Sequence, residues 1–252
     1  MNSANKTKSS LPLSNSKLIF DIGMHVGQDT EYYLKKGFRV VAVEANPSLA
    51  LRAREVFKEY VQNDRLVIIN KGISSQSFSS IPFYVNQVDS AWSSFVESIG
   101  SRGGSSEMIY VDVISFEQLL DEFGCPYYLK IDIEGLDLEV IKSLRGVNVR
   151  PKYLSAENGQ EAMIRELAGL GYESFKFINQ APIGGRKCHT PSREGLDVEH
   201  VFQHGSSGEF GEDTPGDWLS LNQVIEVSNR YWSNPNRDAN IDGWFDIHAR
   251  ID

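Results

Sequence analysis

Cysteine is scarce in this chain, with only Cys125 and Cys188 among its 252 residues. Two cysteines so far apart offer neither a disulfide framework nor the spacing of a metal site. No uninterrupted apolar run approaches the roughly 20 residues that span a bilayer, and positive charge is outnumbered, which leaves a formal net charge of −9. An acidic chain lacks the basic patch of nucleic-acid-binding surfaces. The sequence therefore argues against a disulfide scaffold, a membrane-spanning protein and a nucleic-acid-binding protein.

What remains is an ordinary globular composition, with 40% hydrophobic and 23% charged residues, and a length that suits one domain or one domain with an appendage. Residues 1–16 are polar and lack the apolar core of a signal peptide. They predict a flexible tail on a cytoplasmic protein. The composition changes after residue 180. We therefore predict a core over residues 17–180 and a C-terminal extension or lid over residues 181–252 that packs on it.

The most informative stretch is residues 17–47, which indicates a strand, a glycine turn, a helix and a second strand. The apolar run 18–20 leads into the turn 21–27, and a helix-like segment then ends at Gly37, a common residue at helix C-termini. The run 40–43 is the second strand. A strand–helix–strand unit of this length places its two strands parallel and adjacent. Their carboxyl ends then share one crevice, where open α/β sheets bind ligands.

The residues around that crevice indicate which ligand it binds. The dinucleotide fingerprint G-x-G-x-x-G is absent, since Gly23 and Gly27 have a G-x-x-x-G spacing. Asp21 would repel a pyrophosphate but would favour an ammonium or sulfonium group, and Glu44 can accept hydrogen bonds from both hydroxyls of a ribose. This combination describes S-adenosylmethionine. The alternative is a structural turn in another α/β protein.

Polar residues also follow three later strands of the predicted sheet. Asn70 follows the strand 66–69, and it either meets the adenosine part of a cofactor or belongs to an ordinary turn. Asp132 and Glu134 follow the strand 127–131, and the pair Glu157 and Asn158 follows the strand 152–156. Because parallel strands end at the same edge of a sheet, these side chains are candidates for the same crevice. The loops 86–106 and 181–217 are expected to build the acceptor pocket.

Two helices and the C-terminus have their own signals. Ser115 is placed to cap a helix over residues 116–123. Ser220 and Gln223 form a capping box that opens an amphipathic helix reaching about Trp232. The aromatic segment 244–248 is expected to fold back onto the body of the protein.

With these residues assembled, the chain resembles the FkbM family of S-adenosylmethionine-dependent methyltransferases. The matching segments are DIGMHVGQDT (21–30), VVAVEANP (40–47), the turn 70–74 and YLKIDIEG (128–135). The resemblance implies an α/β, Rossmann-like class I methyltransferase fold. That fold is a seven-stranded, mostly parallel sheet with helices on both faces, here with a C-terminal loop and helix extension. It also implies O-methylation of a small-molecule hydroxyl, such as that of a sugar or natural product.

Two sets of site residues follow from the motifs and the resemblance. The predicted cofactor-binding residues are Asp21, Gly23, His25, Gly27, Glu44, Ala45, Asn46, Asn70 and Asp132. The predicted catalytic residues are Asp132, Glu134, Glu157 and Asn158. Methyl transfer requires that the acceptor oxygen be aligned and relieved of its proton, and carboxylates at the strand ends could do both.

Several alternatives stay open at this point. Asp132 with Glu157 and Asn158 is similar to the magnesium ligands of catechol-type O-methyltransferases, so a divalent metal is a hypothesis that we do not adopt. A nucleotide-dependent oxidoreductase or epimerase and a non-catalytic cofactor-binding scaffold are the other two function classes. The sequence does not name the acceptor, and it leaves a homo-oligomer open.

Overall fold

The computed structural model describes residues 15–74, 80–238 and 242–252. Its strands are β1 (Asn15–Ile22), β2 (Arg39–Val43), β3 (Leu66–Ile69), β4 (Gly72–Ile73), β5 (Ser80–Asn86), β6 (Ser106–Ile114), β7 (Pro126–Ile131), β8 (Tyr153–Glu157), β9 (Ser174–Asn179) and β10 (Phe245–Arg250). Its α-helices are α1 (Gln28–Lys35), α2 (Pro47–Val56), α3 (Lys58–Gln62), α4 (Glu97–Gly100), α5 (Phe116–Phe123), α6 (Asp137–Ser143), α7 (Glu161–Gly169) and α8 (Leu221–Trp232). Within these ranges no helix has both the length and the apolar character needed to cross a membrane. The predicted tail lies outside the described residues, except that residues 15 and 16 already belong to β1.

Seven strands form the central sheet in the order β3-β2-β1-β7-β8-β10-β9. The pairs β1–β2, β2–β3, β1–β7 and β7–β8 are parallel, whereas β10 runs antiparallel to both of its neighbours. The predicted seven-stranded, mostly parallel sheet is therefore confirmed. Since the parallel strands end at one edge, the polar turns that follow β1, β2, β3, β7 and β8 meet there.

Apolar side chains fill both faces of this sheet because alternate residues of each buried strand point to opposite sides. On one face α5 to α8 contribute Phe116, Leu119, Val140, Ile141, Ile164, Leu167 and Val224. On the other face α1, α2 and the segment after β9 contribute Tyr32, Tyr33, Ala50, Ala53, Ile183, Phe202 and Phe210. The prediction of elements packed on both faces is thus confirmed, and on the second face part of the cover is irregular chain.

The chain after β9 is both a cover and a part of the sheet. The backbone amide of Ser207 donates to Asp29 in the first turn of α1 at 3.0 Å, and Asp213 forms a buried ion pair with Lys36 at 3.1 Å. These contacts fix the segment on the sheet face. Its last strand, β10, lies between β8 and β9, so the aromatic C-terminus does fold back. The lid role and the boundary at residue 180 stay predictions, but residues beyond that boundary supply one of the seven strands.

The loop 86–106 is more structured than its sequence indicates. It follows β5, which pairs with β6 in a small second sheet of order β4-β6-β5, and it contains the 3₁₀ turn Ser90–Trp92 and the short helix α4. The Ser94 hydroxyl donates to the Glu134 carbonyl at 2.7 Å, and Phe95 packs so closely on Gly72 that a side chain there would overlap its ring. The loop is therefore anchored beside the turns that follow β3 and β7.

Candidate active site

The glycine turn after β1 approaches the turn after β7 as closely as the backbone allows. Gly23 has a φ of +86°, and a Cβ atom there would overlap the Asp132 carbonyl oxygen. Its amide also donates to the Val43 carbonyl at 3.0 Å, at the end of β2. Only glycine combines this conformation with this approach. Gly27, with a φ of +88°, lies where a side chain would press on Phe57. The sequence-predicted Gly23 and Asp132 are therefore direct neighbours.

Glu44, at the end of β2, is held by two backbone donors. The amide of His25 donates to its Oε2 at 2.7 Å, and the amide of Asn46 donates to its Oε1 at 2.7 Å. The side chain is almost fully buried, and this burial raises its pKa to about 7. Each carboxylate oxygen keeps a second lone pair, so both can still accept a hydroxyl. A fixed carboxylate with two free acceptor positions fits the ribose of an adenosyl cofactor.

Asn46 and Ala45 have structural contacts in the same turn. The Asn46 side chain accepts a hydrogen bond from the Ser48 amide at 3.0 Å and thereby caps α2. Asn70 extends from the end of β3, and its amide group donates to the carbonyls of Glu44 and Ala45 at 2.9 and 3.2 Å. Asn70 therefore holds the turn that carries Glu44, while its own side-chain oxygen remains available as an acceptor.

Removing the Asn70 amide should weaken cofactor binding without unfolding the protein. Two hydrogen bonds of about 1 kcal/mol each orient the Glu44 turn, so we expect Asn70→Ala to lower the affinity for S-adenosylmethionine by up to about 30-fold. Titration calorimetry measures this change directly. Asn234→Ala, an exposed asparagine after α8, is the control and should bind as the wild type does. An unchanged affinity in Asn70→Ala would show that the turn does not depend on this side chain.

His25 connects the glycine turn to the loop 86–106. Its backbone adopts a φ of +53°, and its ring Nε2 lies 2.8 Å from the Ser90 hydroxyl. Burial lowers the pKa of the imidazole, although the nearby Asp132 and Asp89 act in the opposite direction. A neutral ring hydrogen-bonded to a serine is suited to hold the loop near the crevice. The role of His25 as a cofactor contact stays a prediction.

Asp21 requires a correction of the sequence-based interpretation. That interpretation placed its carboxylate beside a cationic group of the ligand, but the side chain is fully buried beneath the glycine turn. It accepts a hydrogen bond from the Thr30 hydroxyl at 2.6 Å, and the cation beside it is Lys130, at 3.4 Å. A strand-end aspartate gives no sign in the sequence of which neighbouring strand will supply its counter-ion.

Lys130 is the central residue of this buried network and was not among the predicted site residues. Its ammonium lies 3.4 Å from Asp21, 3.6 Å from Asp29 and 3.4 Å from Asp132, and it donates to the Gly23 carbonyl at 3.3 Å. Burial alone would lower its pKa, but the three carboxylates raise it well above the usual value. One lysine therefore joins the ends of β1 and β7, the glycine turn and the start of α1.

Beyond Lys130 the crevice is lined by carboxyl groups. The Asp132 side chain is 39% exposed and the Glu134 side chain 17% exposed. Burial, with Asp132 as the next contribution, raises the pKa of Glu134 to about 7, and Arg102 lies 3.4 Å from its carboxylate. Burial, followed by the charges of Asp132 and Glu134, raises the pKa of Glu157 well above its usual value. Carboxyl groups with raised pKa values are suited to proton transfer in catalysis.

Asn158 connects the end of β8 to the start of β10. It has a φ of +74°, its amide donates to the Phe245 carbonyl at 2.9 Å, and its side chain lies 3.3 Å from a Glu157 carboxylate oxygen. This position brings Asp246 into the same group of acids, where burial and the charge of Asp132 raise its pKa. Asp246 was also missed, because it lies about 90 residues after Glu157 in the sequence and nothing there indicates that the two are neighbours in the sheet.

The magnesium hypothesis gains no support from this geometry. Across residues 15–74, 80–238 and 242–252, no three His, Cys, Asp or Glu side chains converge as a set that could hold a metal ion. The predicted catalytic residues Asp132, Glu134, Glu157 and Asn158 do lie around one crevice. Burial, followed by the nearby charge of Asp132, raises the pKa values of Glu134 and Glu157, which is the property that a proton acceptor needs.

Part of this chain matches a known protein family. Residues 21–179 match the methyltransferase FkbM domain. A precorrin-6y C5,15-methyltransferase from Geobacter metallireducens is 12% identical, with 100% of this chain and 93% of that chain covered and a TM-score of 0.40. A methyltransferase from Podospora anserina, bound to S-adenosylhomocysteine, is 14% identical, with 94% and 72% covered and a TM-score of 0.37. Likenesses this distant do not extend to substrates. No curated protein sequence matches the chain.

Proposed function

Because this chain belongs to the methyltransferase FkbM domain family and is therefore an S-adenosylmethionine-dependent methyltransferase, we propose that it methylates a hydroxyl group of a small molecule. A sugar or a natural product is the acceptor class that we favour. The observation that carries the proposal is the group of carboxylates Glu134, Glu157 and Asp246 beside the predicted cofactor residues, whose pKa values burial and then the nearby Asp132 raise, so that each is a stronger base when ionised. A hydroxyl acceptor must lose a proton on methylation, and such groups are able to take it.

The residues of the crevice fit the cofactor on two observations. The Glu44 carboxylate is fixed by two amides and retains acceptor capacity for the ribose hydroxyls. The approach of Gly23 to Asp132 leaves no room for a side chain, so the backbone itself would border the methionine end of the cofactor. Asn70 would support the adenosine end through the Glu44 turn. Asp132, exposed in the crevice, would face the ammonium or sulfonium group.

S-adenosylmethionine supplies an electrophilic methyl group on a sulfonium, so that the acceptor oxygen gains the methyl group while the departing sulfur keeps the bonding electron pair. The protein's part is to position the acceptor and to remove its proton. Glu157 and Glu134 are the candidates for this proton, because burial makes both stronger bases than ordinary carboxylates. The loop that carries Ser94 and Phe95 would help to exclude water from the crevice.

Two measurements test this function. Calorimetry should show micromolar-range binding of S-adenosylmethionine and S-adenosylhomocysteine and no binding of NAD. Incubation with a radiolabelled methyl donor and a panel of hydroxyl, amine and thiol acceptors should then label hydroxyl compounds. Binding of NAD in place of the adenosyl ligands would favour an oxidoreductase or epimerase. Tight adenosyl binding with no transfer to any acceptor would favour a scaffold, and transfer to amines alone would overturn the hydroxyl assignment.

Cofactor affinity should depend on pH because of Glu44 and Glu134. Both have a pKa raised to about 7, so a fraction of each is protonated at pH 6 in the free protein. A cationic ligand favours the ionised forms, and we therefore expect affinity for S-adenosylmethionine to rise several-fold from pH 6 to pH 8, with release of protons. Calorimetry in buffers of different ionisation enthalpy measures this release. S-adenosylhomocysteine, which has no sulfonium charge, should release fewer protons; equal release by both ligands would contradict the argument.

A further inference from the structure

Asp246 is a buried carboxylate with no partner in the part of the chain that the structure describes. It lies near the start of β10 and is only 6% exposed, yet no described hydrogen bond or ion pair reaches its carboxylate. Buried polar groups in proteins are nearly always paired, whereas the unpaired oxygens of Asp246 are not sealed from solvent, so a ligand can reach them. Lys130, the cation that influences it, already lies within 3.6 Å of three other carboxylates.

The position of Asp246 in the sheet places it beside Glu157. The two residues are directly opposite each other in the antiparallel pair β8–β10, and such residues have Cβ atoms about 5 Å apart on the same face. The next residue, Ile247, belongs to the apolar core under α5 to α8. Asp246 therefore points to the other face, the face of Lys130 and Asp132, whose charges it feels.

Two carboxyl groups at opposing positions in a buried sheet are unfavourable for stability. Like charges directly opposite each other on neighbouring strands destabilise the pair, and burial adds the desolvation of each charge. Opposed carboxyl groups of this kind ionise one after the other rather than together, and burial, followed by the charge of Asp132, raises the pKa of both groups. A neutral residue at either position would relieve this, so a reason other than folding is required for the pair.

We propose that Asp246 and Glu157 together bind the methyl acceptor, which is a neutral compound with two neighbouring hydroxyl groups. This inference rests on the proposed function. The ionised carboxyl accepts a hydrogen bond from the reacting hydroxyl and takes its proton when the oxygen is methylated. The protonated carboxyl donates to the oxygen of the adjacent hydroxyl. The bound ligand thus gives each of the two carboxyl groups a hydrogen-bond partner. An acceptor with a phosphate or carboxylate at this place would be repelled by the ionised carboxyl.

The stability of two aspartate variants tests the inference without an acceptor. Asp246→Asn removes one of the two opposed carboxyl groups and no described hydrogen bond, so we expect the melting temperature at pH 7.5 to rise by about 2 °C or more. The matched control is Asp213→Asn. Asp213 is equally buried, but it forms an ion pair with Lys36 and accepts the Arg193 amide at 2.7 Å. Its replacement should lower the melting temperature by several degrees. A similar loss in Asp246→Asn would show that Asp246 has a structural role and would overturn the inference.

Methyl transfer supplies the second readout. With a diol acceptor from the panel, Asp246→Asn and Glu157→Gln should each lower kcat/KM at least tenfold, and S-adenosylmethionine affinity should change less than twofold. A monodeoxy analogue that lacks the non-reacting hydroxyl should lower kcat/KM of the wild type at least tenfold. If the wild type binds no adenosyl ligand, the proposed function fails. If the wild type methylates hydroxyls and Asp246→Asn does so equally well, only this inference fails.

Discussion

Replacing Glu44 by alanine is expected to lower the affinity for S-adenosylmethionine by at least about 100-fold. The substitution removes both acceptor oxygens that would receive the ribose hydroxyls, and hydrogen bonds to a charged group contribute about 1.5–3 kcal/mol each. It also releases the amides of His25 and Asn46, which the carboxylate now holds at 2.7 Å. The glycine turn and the start of α2 would then lose their common anchor. Titration calorimetry at pH 8, where Glu44 is ionised, measures the loss.

Two control variants separate this effect from a change in folding. Glu55→Ala removes an exposed glutamate on α2, the helix next to Glu44, and should bind as the wild type does. Glu44→Gln keeps one acceptor oxygen but turns its amide group toward one of the two backbone donors. Its affinity for S-adenosylmethionine should therefore fall between that of the wild type and that of Glu44→Ala. The ligand-free melting temperature of each variant shows whether the fold is intact. A folded Glu44→Ala protein with wild-type affinity would show that Glu44 does not bind the ribose.

Short-range signals in the sequence were sufficient for much of the fold. The glycine turn, α1 and the strand β2 follow one another within about 30 residues, so helix and strand periodicity was enough to predict them. Ser115 caps α5 as predicted, and the predicted capping box of Ser220 and Gln223 is present at the start of α8. The C-terminal ends of β3 and β7 were predicted at the right residues and that of β8 within one residue, because buried apolar runs mark such strands clearly.

The partners of the site residues could not be predicted, since they depend on strand order. Asp21 lies beside Lys130 because β7 is the neighbour of β1, and nothing in either strand specifies that neighbour. Asp246 lies opposite Glu157 because β10 inserts between β8 and β9. The sequence indicates only that an aromatic C-terminus returns to the body. The charges of individual residues were therefore visible, but the ion pairs and the unpaired carboxylate were not.

Replacing Lys130 by methionine should reduce the free energy of unfolding by about 3–5 kcal/mol, the usual consequence of removing one partner from a buried ion pair. Methionine preserves most of the side-chain volume, so the loss would come from charge. Without the ammonium, Asp21 and Asp29 stay buried beside each other with no cation. Urea denaturation monitored by circular dichroism measures the change. Lys142→Met, at an exposed position on α6, should shift the free energy by no more than about 0.5 kcal/mol.

Lys130→Met is also expected to weaken cofactor binding. Lys130 also donates to the Gly23 carbonyl and contacts the exposed Asp132, so its loss frees the two turns that border the methionine end of the cofactor. A second substitution, Asp21→Asn, removes one of the unpaired buried charges and should restore part of the stability of Lys130→Met. It should not restore cofactor affinity, because the tether to Gly23 and Asp132 is still missing. If the double variant recovered both stability and cofactor affinity, Lys130 would serve only the fold. If it recovered stability alone, Lys130 would also be needed to shape the cofactor site.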